Sequence, residues 1–173
     1  KVVHGADYTA VEIPYKNTNI TMVIIMPEKY TDIPGKYEEL ILDALRRLDR
    51  TITRKTVWLI MPKFNISLKT NMVSHLQNMG IVEVFTPGKA DLTRMANVRV
   101  GEIWADKIIH QAVIKVNEEG TEATAATVIV VVTGLPQADE KVVVNKPFIY
   151  ILRDKKTNTI LFIGHIINPI ESE

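Results

Sequence analysis

Four histidines, no cysteine and 20 acidic against 21 basic side chains are the chemical equipment of this 173-residue chain. The lack of cysteine excludes a disulfide scaffold, thiol catalysis and thiolate metal sites. His75 and His165 have no partner at metal or triad spacing, and His4 lies close to the first residue; all three read as structural or surface side chains. No nucleophile–base pattern, metal-ligand spacing or Gly-rich phosphate loop is present, so an enzyme is the least expected class and neither cofactor nor metal is expected. A formal charge of +1 leaves no basic surplus to displace counterions from nucleic acid. Arg46, Arg47, Arg50, Arg54 and Lys55 form one local basic cluster. Solvated helix and strand ends account for it better than a polyanion site, which stands as the weaker alternative.

The segment that departs from ordinary patterning is 118–140. Residues 118–127 are small and polar, with no bulky apolar anchor, and Val128–Thr133 then has very high strand propensity. Gly134, Pro136 and the following Gln-Ala-Asp read as turn or loop, and no Lys or Arg lies between Lys115 and Lys141. A small-residue stretch cannot bury enough area to fix itself, so in isolation it is expected to be mobile. Yet Thr121, Ala123, Ala125 and Thr127 alternate on one face, continued by Ile129, Val131 and Thr133. Such a segment suits a loop in one state and a strand between two others in a second state. From the pattern alone, a surface linker ahead of an edge strand explains it equally well.

The elements that must carry this segment are mostly strands. Nineteen Val, 22 Ile and 16 Thr make a third of the chain β-branched. Strands are expected at Ala10–Pro14, Ile20–Met26 (apolar on both faces, hence central), Val57–Met61 ended by Pro62, Ile108–Glu118, Val142–Val144, Phe148–Leu152 and Ile160–Ile167. The last two are joined as a hairpin by the turn Asp154–Asn158. Leu40, Ile41, Ala44, Leu45 and Leu48 repeat at helical spacing within Tyr37–Leu48, and a short helix is expected at Asn71–Met79, stopped by Gly80. The whole is a sheet-dominated α+β chain. No run reaches the roughly 18–20 apolar residues of a spanning helix, so no membrane contact is expected, and the N-terminal KVVHGADYTA lacks the pattern of a signal peptide. Asn19-Ile-Thr21 and Asn65-Ile-Ser67 are candidate glycosylation sequons and lean towards an extracellular, secreted protein, with a cytoplasmic one as the alternative.

Ile109–Thr127 resembles the hinge signature of the serpins, the serine protease inhibitors. Asn145–Arg153, Thr159–Gly164 and Asn168-Pro169 resemble the closing signature of that family, and Glu12–Lys16, Met61–Phe64 and Leu76–Ile81 agree in order. The resemblance spans the whole chain and corresponds to a little under half of a serpin, the C-terminal part of a single domain. It implies strands of the central sheet A together with sheets B and C, two or three short helices, and a mobile reactive-centre loop over 118–140. It also implies that the N-terminal part of the same serpin is a partner lying outside these residues.

In serpins that loop is a bait: a protease serine attacks the scissile carbonyl, an acyl-enzyme forms, and the cleaved loop inserts into the central sheet. The resemblance places Glu118, Glu119, Gly120 and Thr121 at the hinge, with Gly120 as the pivot and Thr121 entering the sheet first. Ala123, Ala125 and Ala126 meet the small-residue rule of inhibitory members, and Thr124 and Thr127 are small enough to insert. His110 matches the histidine that supports the opening of the sheet, with Gln111 where Lys is frequent. Counting forward from Glu118 puts the reactive bond at Gly134–Leu135; counting back from Pro147 gives Pro136–Gln137. The first is preferred, with Thr133 and Leu135 as neighbouring alternatives on the specificity side. No basic residue precedes the bond, which favours elastase-like or subtilisin-like proteases over trypsin-like ones. The alternatives are a non-inhibitory serpin (chaperone, carrier or storage protein) and cross-class inhibition of papain-like cysteine proteases.

Overall fold

The computed structural model describes residues 1–30, 37–118, 120–121 and 137–169. They form two compact units, Lys1–Phe64 with Val116–Glu173, and Asn65–Lys115.

The first unit is built on a five-stranded sheet. Its strands are β1 (Val2–His4), β2 (Tyr8–Pro14), β3 (Ile20–Pro27), β9 (Phe148–Asp154) and β10 (Thr159–Ile166), antiparallel throughout and in that spatial order. β3 is buried along almost its whole length, as its apolar run on both faces requires. On one face Tyr8, Ala10, Val23, Ile25, Ile149 and Ile151 meet Ala44 and Leu48 of helix α1 (Glu38–Arg50). Leu40, Ile41 and Leu45 of the same helical stripe pack around them. Glu38 and Glu39 in the first turn and Arg47 and Arg50 in the last suit the helix dipole. Thr51 ends the helix by turning its backbone N–H and its hydroxyl to the Arg47 carbonyl. Tyr8 clamps helix to sheet: its hydroxyl donates to Asp43 at 2.8 Å, and burial together with that acceptor pushes its pKa up to about 12.

On the opposite face Phe64 packs against Phe148 and Tyr150, with ring centroids 5.9 and 5.4 Å apart. Gly164 lies across from Tyr150 in the β9–β10 ladder, and a methyl group there would overlap the tyrosine ring. Glycine is needed at this position for close approach. Asn158 at φ 58° closes the β9–β10 turn, where Asp154 accepts the N–H of Lys156.

One end of the helix-covered face is charged. Arg153, 3% exposed, spans Glu12 (3.0 Å) and both carboxylate oxygens of Asp49 (2.7 and 3.1 Å). Lys155 adds two bonds of 2.9 Å to Glu12, itself only 6% exposed. β2, β9 and α1 are thereby tied by one ionic network.

The rest of this unit is a parallel pair, β4 (Val57–Ile60) with β8 (Glu140–Val143), and the end of β6 (Ile109–Asn117). The second unit holds β5 (Phe64–Asn71) paired with the body of β6, helix α2 (Val73–Asn78) and a 3-10 turn at Glu83–Phe85. α2 begins two residues later than its sequence pattern predicts. The Asn71 side chain instead accepts the N–H groups of Val73 and Ile108, tying the helix start to the approach to β6. Gly80, at φ 93°, ends the helix as expected. β1 and β5 are additions to the expected set. β1 is short and flanked by Gly5, and β5 alternates Phe64, Ile66 and Leu68 with Asn65, Ser67 and Lys69, the period of a strand.

Candidate functional site

The geometry around residues 118–140 consists of two anchors on one piece of chain, Lys55–Lys63. At the first anchor β6 ends at Asn117, and the backbone folds back so that β7 (Gly120–Thr121) pairs antiparallel with it, Val116 opposite Thr121 and Asn117 opposite Gly120. Ile114 and Val116 are buried, so the strand leading into the turn is held by packing. Glu118 projects into solvent and meets the Lys63 ammonium at 3.1 Å. Its own backbone N–H and then Lys63 hold its carboxyl below the usual carboxylate range. Beside this turn lies an open, mostly apolar cleft of about 810 Å³, floored by Ile13, Met22, Leu59 and Val116, with Lys63 and Glu118 at its rim.

The second anchor is where the chain returns. Asp139 exchanges two bonds with Thr56: its N–H donates to the Thr56 carbonyl (2.8 Å), and its carboxylate accepts the Thr56 N–H (2.7 Å). Glu140 then sits between Lys55 (2.8 Å) and His4 (2.7 Å), whose second ring nitrogen meets the Thr9 hydroxyl at 3.2 Å. Lys55 chiefly, with His4, holds the Glu140 carboxyl below its ordinary range against the opposing effect of burial. β8 continues beside β4 from Val57↔Glu140 to Ile60↔Val143, and the Val144 N–H closes on the Ile60 carbonyl.

Of the residues singled out from sequence, Glu118, Gly120 and Thr121 fall at the first anchor. Glu119, Ala123, Ala125, Ala126, Gly134 and Leu135 lie outside the described residues. His110 is on β6 with its side chain exposed and makes no hydrogen bond or ion pair among the described residues. Asn19 is exposed at the turn entering β3, while Thr21 of its sequon is buried; Asn65 is exposed on β5. Two of the five clustered cations are committed to carboxylates, Arg47 to Asp43 and Lys55 to Glu140; Arg46, Arg50 and Arg54 are exposed. Among the described residues no three His, Asp or Glu side chains gather as a metal site, and no helix is long and apolar enough to cross a membrane. His4, Asp139 and Glu140 were not singled out by pattern as partners, because the residues they meet are remote in sequence. Lys63 alone carried a signal, as part of Met61–Phe64.

A family model described as Serpin (serine protease inhibitor) matches residues 2–169. An uncharacterized serpin-like protein of Pyrobaculum aerophilum is 35% identical over 166 residues, which are 95% of this chain and 43% of that protein. The leukocyte elastase inhibitor of Equus caballus is 31% identical over 164 residues, 91% of this chain and 43% of its own length. Among solved structures, a serpin from the trematode Schistosoma haematobium superposes with a TM-score of 0.75 at 26% identity, covering 95% of this chain and 42% of that one. The chain thus spans about two fifths of the length of the relatives it matches.

Proposed function

The chain belongs to the serpin family, and we propose that it carries the bait and the sheet-entry hinge of a protease inhibitor that works as a suicide substrate. The target's nucleophilic serine attacks the Gly134 carbonyl, the Gly134–Leu135 bond breaks, and the new N-terminus at Leu135 leaves with β8. The acyl-enzyme stays on the segment that follows the hinge, and that segment enters the central sheet before water reaches the ester.

The observation that carries this reading is the pair of anchors. A bait must be held at both ends and left free of bulky side chains between them. Here Lys55–Lys63 grips the chain on both sides of a stretch whose sequence is small, then β-branched, and without a cation. Gly120 and Thr121 lie antiparallel to the end of β6. Peeling this two-residue pairing away costs little compared with the strand pairing that insertion would add.

The absence of Lys and Arg between Lys115 and Leu135 directs the bait to shallow, apolar specificity pockets of the elastase or subtilisin type. The missing serpin length is the structural partner, and secretion with sugar on Asn19 fits the exposed turn position of that residue. The test is to mix the protein with elastase and with subtilisin and to look for a covalent complex that survives boiling in detergent. If elastase, subtilisin and cathepsins all cleave the segment and leave no such complex, the inhibitor reading fails.

A further inference from the structure

We propose that His4 is a pH-operated latch on the return end of segment 118–140: its protonated ring fastens Glu140, the first residue of β8, to β1, and loss of the ring's charge loosens that end. The proposal goes beyond the bait reading and does not depend on it, since it concerns only how firmly the chain is held where it joins β4.

The latch links two separate sheets. His4 is the last residue of β1 in the five-stranded sheet, and Glu140 opens β8 in the β4–β8 pair, 136 positions away. Nε2 of the ring lies 2.7 Å from Glu140 Oε1. Nδ1 lies 3.2 Å from the hydroxyl of Thr9, the residue directly opposite His4 on β2. Lys55, just ahead of β4, bonds the other Glu140 oxygen at 2.8 Å. The charged neighbours of Glu140 in sequence are occupied elsewhere: Asp139 accepts the Thr56 N–H, and the Lys141 ammonium sits 5.1 Å from the centre of the Trp58 ring.

This geometry serves both charge states of the ring without rearrangement. A carboxylate only accepts, so Nε2 carries a proton whether the ring is neutral or charged. Nδ1 faces a hydroxyl, which donates to the bare nitrogen of the neutral ring and accepts from the protonated nitrogen of the cation. Protonation therefore changes the charge across the 2.7 Å contact and leaves its shape alone. Glu140, held low chiefly by Lys55, stays ionised, whereas an imidazole gains its proton between about pH 5 and pH 8. The sign follows. An imidazolium adds ion-pair attraction to the bond that a neutral ring makes with the same carboxylate, so the hold on β8 weakens as pH rises through that window.

Exposure sets the size of the effect. The His4 side chain is 59% exposed and that of Glu140 18%, so the added charge is expected to change the opening of β8 by about two- to fivefold. The pairing it guards is short, running only from Val57↔Glu140 to Ile60↔Val143. A tie at its first residue therefore governs how readily the return end frays.

The test is amide hydrogen exchange in a polypeptide of serpin length carrying this chain. It is read along β8 and at the Asp139 N–H, which bonds the Thr56 carbonyl. Each rate is divided by that of an unstructured peptide at the same pH, and about pH 5.5 is compared with about pH 8. The parent is expected to be about two- to fivefold better protected at the lower pH. His4→Gln keeps an N–H for Glu140 without a charge, and Glu140→Gln keeps an acceptor without one; both are expected to erase the difference. Salt at about 1 M, which screens charges beyond about 3 Å, is expected to shrink it in the parent. Equal protection of the parent at both pH values overturns the proposal. So does a difference that persists in His4→Gln, which would assign the pH response to another group and leave His4 a structural side chain.

Discussion

At the scale of single residues, the strongest constraint is Arg153. It is buried against two carboxylates, and its Nε and the nearby Thr21 hydroxyl find no hydrogen-bond partner among the described residues. Arg153→Met leaves Glu12 in the sheet with only Lys155, and breaking a buried pair from one side costs about 3–5 kcal/mol. Urea unfolding is expected to show a loss of that order. The same network sets an acid limit. Burial raises the Asp49 carboxyl, but Arg153 and Lys155 outweigh it and hold the group below the usual carboxylate range. A depressed carboxyl contributes stability that is present above its unfolded pKa and lost as pH falls through the folded one. Stability is therefore expected to decline below about pH 4, and Asp49→Asn should flatten that decline. Gly164→Ala is expected to cost about 1–3 kcal/mol by driving a methyl into the Tyr150 ring, which Phe64 prevents from yielding. Glu12 and Arg153 both stand in stretches whose resemblance was legible. Their pairing was not, since they lie 141 positions apart and nothing in local spacing joins them.

Among the elements, legibility followed periodicity. β2, β3, α1, β9 and β10 have strong apolar repeats and lie where the repeats put them. β5 was not among the expected strands although Phe64, Ile66 and Leu68 alternate with polar residues in it, and in the structure it pairs with β6. The hinge was legible as a motif, but its contact with Lys63 was not, because Lys63 and Glu118 lie far apart in sequence and no local spacing joins them. Both partners of the Lys63–Glu118 bridge are well exposed, so Glu118→Gln is expected to leave the urea unfolding midpoint unchanged. Thr121→Arg tests the element's proposed role instead. A guanidinium at the first entering position must be desolvated for the strand to insert. The variant is expected to be cut at the normal rate while the share of cleaved, non-inhibitory product rises several-fold. Gel densitometry of complex against cleaved chain measures this, and an unchanged ratio would remove Thr121 from the insertion step.

At the scale of the whole molecule, the described residues leave a large apolar surface without cover among themselves. β10 is the outer strand of its sheet, and Ile160, Leu161, Phe162 and Ile163 follow one another in it, the last 54% exposed. An edge of this kind is a template for further pairing. On its own, the 173-residue chain is expected to self-associate with rising concentration in sedimentation experiments, and Ile163→Lys to shift it towards monomer. The composition pointed to sheet from the outset, and the resemblance to a little under half of a serpin agrees with the two fifths of its relatives' length that the chain covers. The central claim is that the segment between the two anchors is an acylating bait. Its most direct test is the mass of what elastase releases from a polypeptide of serpin length carrying this chain. The account predicts a free C-terminal peptide beginning at Leu135, with the remainder covalently attached to the enzyme. Two free fragments and an unmodified, active elastase would contradict it.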